Sequence, residues 1–173
     1  GARPVVPGRC GARSANLCGS APSGVPRAPL PSPVGLVRLV HPFPILLDGF
    51  VTAAFAVLAG GVATTAVLLG LARICLQASI GALNDLVDAP TDAGRKPGKP
   101  IPAGDVAADL ARAVVVVAAA LGLVLAAPSG PGLVALSGFI LAIGYGYDLL
   151  AKGTAWSLLP FAAGLPLLPV VRW

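Results

Sequence analysis

Apolar residues in this chain run in long blocks instead of alternating with polar ones. From Phe43 to Gly61 only Asp48 and Thr52 interrupt the run, and its length of about 19 residues at roughly 1.5 Å each nearly matches a hydrocarbon layer of about 30 Å. This predicts a first membrane-spanning helix, broken at Gly60-Gly61. Val62 to Leu83 predicts a second span that ends at Asn84-Asp85. The polar stretch from Asn84 to Gly104 carries Pro90, Pro97, Pro100 and Pro102, which do not sit as unbroken helix in lipid, so the segment belongs at an interface or along a cavity. Asp105 to Ala127 predicts a third span, with Asp105 as N-cap and Asp109 in the first two turns. Pro128 to Pro131 reads as a turn, Gly132 to Tyr147 as a fourth span, and Asp148 to Thr154 as a short polar loop. Trp156 to Val171 reads as a fifth span, loosened by Pro160, Pro166 and Pro169. The expected fold is all-α, a polytopic transmembrane helical bundle.

Composition agrees with this pattern: 56% of the 173 residues are hydrophobic and 11% charged, against about 25% charged in a soluble domain. Residues 1–35, rich in Pro, Gly, Ala, Ser and Arg, hold no apolar run long enough for a signal-peptide core and read as a disordered basic leader. Residues 36–173 read as the membrane domain. The net charge of +5 comes in clusters between apolar runs, which leaves no basic stripe for nucleic acid. Cys10, Cys18 and Cys75 make an odd set and no disulfide framework.

Arg38, Arg95, Lys96, Lys99, Arg112 and Lys152 all fall on one side of the predicted spans, whereas Gly60-Gly61 and Pro128 to Pro131 carry no charge. By the positive-inside bias that side, with the N-terminus and the charged loops, faces the cytoplasm of an inner, plasma membrane. Arg172 is the exception.

The chemically loaded segment is Asn84, Asp85, Asp88 and Asp92. Asn84 to Asp88 and Asp88 to Asp92 are both i, i+4, so on a continuing helix three oxygen donors face one way. Grouped acids repel unless a cation lies between them, and carboxylate and amide oxygens suit Mg2+. Arg95, Lys96 and Lys99 follow within a dozen residues, on prolines expected to hold the segment extended. A metal beside several cations describes a diphosphate site. The plainer alternative is a set of interfacial polar residues ending a helix. Deeper in the second span, Arg73 and Gln77 follow the same helical face and are expected to line the cavity, with Asp48 available as a partner for Arg73. His41 reads as an interfacial residue.

The stretch NDLVDAPTDAGRKPGKPIPAG, Asn84 to Gly104, resembles the first aspartate-rich motif of the UbiA superfamily of intramembrane prenyltransferases. That pattern is Asn-Asp-x-x-Asp-x-x-x-Asp followed by Lys-Pro-x-Arg-Pro-x-Pro-Ser-Gly. Here Lys99 stands where arginine is usual, and Ala103 where serine is common. Residues 144–161, GYGYDLLAKGTAWSLLPF, are similar to the segment after the fourth helix, where a tyrosine and a lysine commonly face the site; Tyr147 and Lys152 match them. Arg38 matches an arginine that often precedes the first helix.

The resemblance implies transfer of an isoprenyl group from an allylic prenyl diphosphate to a hydrophobic acceptor, often aromatic, with Mg2+ assisting diphosphate departure. It implies Asn84, Asp85, Asp88 and Asp92 as metal-holding residues, with Asp85, Asp88 and Tyr147 closest to the chemistry. Arg38, Arg95, Lys96, Lys99 and Lys152 would bind the diphosphate. The partners implied are that diphosphate, the acceptor and membrane lipid.

The family bundle has about nine helices and a second aspartate-rich motif, whereas five spans and no second motif are legible here; Asp148 is a lone acid beside Lys152. The chain has no methionine and stops at Trp173 directly after an apolar segment. The expectation is an N-terminal fragment, inactive alone, of a longer transferase. The competing expectation is a non-catalytic membrane protein, a transporter half or a pseudoenzyme that binds lipid diphosphates. Membrane alcohol phosphotransferases also cluster aspartates, but their Asp-Gly-x-x-Ala-Arg signature is absent.

Overall fold

The computed structural model describes residues 32–154. The predicted leader up to residue 31, the fifth span and Arg172 lie outside them. Five α-helices and no strand occur among the described residues: α1 Pro33–Leu39, α2 Pro42–Leu58, α3 Ala63–Asp92, α4 Ala108–Ala126 and α5 Pro131–Gly146. A single π turn, Tyr147–Ala151, continues α5. These are not the five helices expected from the sequence, because α1 is additional and the fifth predicted span is not described.

α1 starts where Ser32 Oγ accepts the Gly35 N–H at 2.9 Å and a proline takes the first helical position. It is too short to show helical periodicity in sequence. Its Leu39 is fully buried with Ala82, Val106 and Ala111, which fixes α1 beneath the loop between α3 and α4. α1 and α2 meet at a bend of 53° and together are long and apolar enough for one broken span or a re-entrant loop. With α3, α4 and α5 the described residues hold three helices long and apolar enough to cross a membrane, or four counting the bent pair.

α3 is the central element, with α2 and α4 packed along it. Where lipid surrounds a bundle, association rests on close packing, and small residues permit it. Gly49 of α2 lies against Gly70 of α3 so closely that a Cβ on Gly49 would stand 2.9 Å from the Gly70 carbonyl oxygen. Gly122 of α4 is similarly close, where a Cβ would stand 3.1 Å from the Ala72 carbonyl oxygen. Ser79 ties three helices together: its Oγ donates to the Val115 carbonyl of α4 and lies 2.6 Å from Tyr145 Oη of α5. Large apolar side chains such as Phe50, Leu58, Val116, Val117 and Val124 are exposed on the outer faces, the arrangement that lipid contact requires.

The boundaries depart from the sequence reading at three places that matter for the site. α3 does not end at Leu83 but continues through Asn84 to Asp92, 30 residues in all. At about 1.5 Å per residue it is about 45 Å long, so a hydrocarbon layer of about 30 Å takes up the apolar part and leaves the polar end to project. Pro90 removes the bond its N–H would make to the Leu86 carbonyl, but it falls in the last turn with only two helical residues after it, so the interruption is confined to the helix end. Asp105 is not an N-cap. Its N–H and that of Val106 both donate to the Pro100 carbonyl, at 3.0 and 3.2 Å, while the Asp105 carbonyl accepts the Ser32 N–H at 3.1 Å; α4 starts only at Ala108. The loop between α3 and α4 is a series of turns, not an extended strand of prolines. Gly94 and Gly104 take φ of +74° and +79°, which reverses the chain at both ends.

Candidate functional site

The projecting end of α3 carries the acids, and the helix register decides which way each faces. Asp85 is 2% exposed and Asp92 5%, whereas Asn84 and Asp88 are half-buried. The turn after α3 returns toward the helix because the Arg95 and Lys96 N–H groups both donate to the Asp92 carbonyl, each at 3.0 Å. This places Lys96 Nζ 2.7 Å from Asp92 Oδ1. The hydrogen bond to Asp92, reinforced by the charges of Asp88 and Asp85, holds the Lys96 ammonium above its ordinary pKa, so it is cationic at neutral pH.

Two further lysines reach the same helix. Lys99, from the following turn, donates to Asp85 Oδ1. Lys152 comes from beyond the π turn, which closes with the Lys152 N–H on the Tyr147 carbonyl at 2.9 Å, and its Nζ donates to Asp88 Oδ2 at 2.6 Å. Asp85, Asp88 and Asp92 thus each hold one lysine. The repulsion expected among the acids is relieved by this chain's own cations, in alternation.

Arg38, His41, Asp85, Lys96, Gly98, Lys99 and Pro100 line a cleft of about 470 Å³. Four cationic or protonatable groups there surround one buried carboxylate. Lys152 stands beside the cleft on Asp88, while Arg95 is exposed and outside the lining. Tyr147 is half-buried at the start of the π turn.

Arg73 and Gln77 lie deeper, about 10 to 16 Å along α3 from Asn84 at 1.5 Å per residue. Both converge on α2: Arg73 Nε and Gln77 Nε2 donate to Asp48 Oδ2 at 2.6 and 2.7 Å. Arg73 therefore has an acidic partner at membrane depth, which removes most of the cost of placing it there.

Two residues gain a place that the sequence reading did not give them. His41 Nε2 lies 3.1 Å from Asp85 Oδ1, so it belongs to the cleft and is more than an interfacial side chain. Asp148 is 2% exposed and accepts the Asn84 amide at 2.8 Å, so it is part of the polar cluster, not a lone acid. His41 carried one available signal, its place three residues after Arg38 and directly before Pro42. Asp148 carried none, because 64 residues separate it from Asn84.

As to a metal, Asp85 Oδ2, Asp92 Oδ2 and Asp148 Oδ2 are buried without a hydrogen-bond partner. Such hard oxygens suit Mg2+ in kind. Among the described residues no three acidic, histidine or cysteine side chains converge to form a metal site; Asp85, Asp88 and Asp92 each hold a lysine instead. The donor set fits the ion, and the lysines would have to turn from carboxylate to phosphate for it to gather the acids.

The model of the UbiA prenyltransferase family matches residues 47–173. No curated protein and no solved structure matches the chain. The matched range takes in the acidic end of α3, the lysine-bearing loop, Asp148 and Lys152, and starts after Arg38 and His41. Prenyltransferases of this kind bind prenyl diphosphates and hydrophobic acceptors in the membrane and generally use Mg2+ through aspartate-rich motifs. With that match over well more than half its length, on an all-helical bundle with membrane-length helices, the chain belongs to the UbiA prenyltransferase family.

Proposed function

We propose that the cleft at the polar end of α3 binds the diphosphate of an allylic prenyl diphosphate, and that the parent protein transfers its isoprenyl group to a hydrophobic acceptor such as an aromatic ring. The observation that carries this reading is the interleaving of Arg38, Lys96, Lys99 and His41 with buried Asp85 in one cleft. A cleft lined by cations alone would bind many anions. One that also holds a carboxylate with an unpartnered oxygen, Asp85 Oδ2, suits an anion that arrives with a divalent cation.

Asn84, Asp85, Asp88 and Asp92 would hold Mg2+, directly or through water, and the ion supplies charge neutralisation on the departing diphosphate. Lys96, Lys99, Lys152 and Arg38 donate to phosphate oxygens, and Arg95, exposed in the same loop, adds its charge. The allylic carbon–oxygen bond breaks with its electron pair leaving on the diphosphate. The acceptor carbon supplies the pair for the new bond and loses a proton. The apolar faces of α2 to α5 keep water from the electron-poor allylic carbon. The cleft faces the cytoplasmic side of the plasma membrane, on the bias of Arg38, Arg95, Lys96, Lys99, Arg112 and Lys152.

The one-to-one pairing of acids with lysines also suits a membrane protein that only binds lipid diphosphates. One experiment separates the readings: the full-length protein in lipid nanodiscs, given a panel of labelled prenyl diphosphates and membrane extract with and without Mg2+. Mg2+-dependent appearance of prenylated product supports the transferase. Saturable binding of the diphosphates without product supports the binder.

A further inference from the structure

Among the described residues His41 is the one non-glycine residue with positive φ, +50° with ψ of 66°. That left-handed region is rare for a residue with a side chain, and such strain persists where the surroundings over-determine it. His41 stands at the 53° break between α1 and α2, directly before a proline, which itself disfavours helical backbone in its predecessor. Its N–H donates to the Arg38 carbonyl at 3.3 Å. Its ring passes over Gly81, where a Cβ would stand 3.4 Å from His41 Cδ2. Gly81 precedes Asp85 by one helical turn on the same face; a Cβ there would only touch the ring, whereas a branched side chain would reach into the path from His41 to Asp85.

At the end of that path His41 Nε2 meets Asp85 Oδ1, 3.1 Å away, and Lys99 donates to the same oxygen. An ionised carboxylate only accepts, so Nε2 is the protonated ring nitrogen. Two donors thus share Oδ1, while Oδ2 is buried with no partner.

We propose that His41 is a positioning residue: the strained joint between α1 and α2 holds its ring so that it fixes Asp85 through one oxygen, leaving the other for the divalent cation that accompanies a prenyl diphosphate. The inference rests on the diphosphate reading above and adds to it a residue outside the aspartate motif. His41 acts through Asp85 and touches no reacting atom. A purely structural role at the bend would alter stability and leave cation affinity alone.

The test is Mn2+ binding to the full-length protein with inorganic diphosphate present, read by the electron paramagnetic resonance of free Mn2+, alongside thermal unfolding. His41→Gly keeps the backbone conformation and removes the ring; residues that orient a metal ligand are worth about 10-fold or more in affinity, so about a tenfold weaker Kd is expected. His41→Gln, whose amide donates from a similar reach, is expected to recover most of it. Parental Kd in His41→Gly overturns the proposal, as does a His41→Gln that folds like the parent yet binds as weakly as His41→Gly. If His41→Gly does not fold, Gly81→Val decides, because it leaves His41 in place and pushes its ring from Asp85: weakened binding is expected, and parental binding overturns. Asp85→Asn separates the two levels. Unchanged Mn2+ binding there removes the cation reading itself, whereas lost binding there with parental binding in His41→Gly removes only the role of His41.

Discussion

Replacing Asp48 by alanine should destabilise the bundle without touching the cleft. Asp48 Oδ2 accepts two hydrogen bonds from α3, from Arg73 Nε at 2.6 Å and Gln77 Nε2 at 2.7 Å. The Arg73 and Asp48 side chains are 17% and 23% exposed, so the pair is mostly shielded, and Arg73 Nη1 is already buried without a partner. Removing one partner of a buried ion pair costs about 3 to 5 kcal/mol, because the surviving charge is left uncompensated. Hydrogen bonds between membrane helices are worth about 0.6 kcal/mol on average, so the stranded arginine, not the lost bonds, dominates. Partial exposure places the expected loss near the lower end, about 3 kcal/mol. Asp48→Ala combined with Arg73→Met should recover more than half of it, since no charge is then stranded. The assay is reversible unfolding of the purified full-length protein in mixed micelles. A loss below about 1 kcal/mol for Asp48→Ala, or a double variant less stable than the single one, would refute the reasoning.

On the proposed function, Lys99→Ala removes the ammonium that Asp85 holds and one phosphate donor, while Lys96 and Arg38 remain in the cleft; KM for the prenyl diphosphate should rise about tenfold, or about 1.4 kcal/mol, with a smaller change in kcat, as read by steady-state kinetics. Gly49→Val drives a side chain toward the Gly70 carbonyl, where even a Cβ would be 2.9 Å away; overpacking of this kind costs about 1 to 3 kcal/mol, which should lower the unfolding temperature relative to the parent by as much with added diphosphate as without it, in thermal unfolding of both proteins. A reporter fused after Gly61 or after Ser129 should map to the non-cytoplasmic side; a cytoplasmic signal at either would reverse the orientation.

The membrane-length helices were legible because an apolar run of this length has few other homes. Their ends were not, because hydropathy marks where lipid stops, not where the backbone hydrogen bonds stop. α3 makes the point: its apolar part ends at Leu83, as expected, and its helix runs on to Asp92. α1, seven residues long, has no period of its own and is held by Leu39 against Ala82, Val106 and Ala111. Asp105 had the chemistry of an N-cap, but tertiary bonding to Pro100 and Ser32 claimed its backbone first.

For the candidate site the local relations were readable and the distant ones were not. Asn84, Asp88 and Asp92 share a helical face by spacing alone, and Lys96 is four residues from Asp92. Lys99 on Asp85, Lys152 on Asp88 and Asp148 on Asn84 depend on how the loops and α5 return to α3. Asp85, off the i, i+4 series, is among the most buried acids, because α1, the joint at His41 and the α3–α4 loop all close over that side. Arg73 was recognisable as a residue that needs a partner, with Asp48 a candidate; that the two meet follows from the crossing of α2 and α3 at Gly49 and Gly70.

The central claim is that the acidic end of α3 and its lysines form a metal-assisted diphosphate site, and Asp88 tests it most directly. It stands four residues from both Asn84 and Asp92 and holds Lys152, so Asp88→Ala removes the shared oxygen donor while leaving the helix and its apolar packing alone. The measurement is Mg2+-dependent prenyl transfer by the full-length protein in nanodiscs, at saturating Mg2+, with unfolding temperature recorded in parallel. The account predicts a fall of several kcal/mol in transition-state stabilisation, roughly a thousandfold or more in rate, in a protein that still folds, its unfolding temperature lowered only by the loss of the partner of Lys152. Near-parental turnover by a folded Asp88→Ala would contradict it.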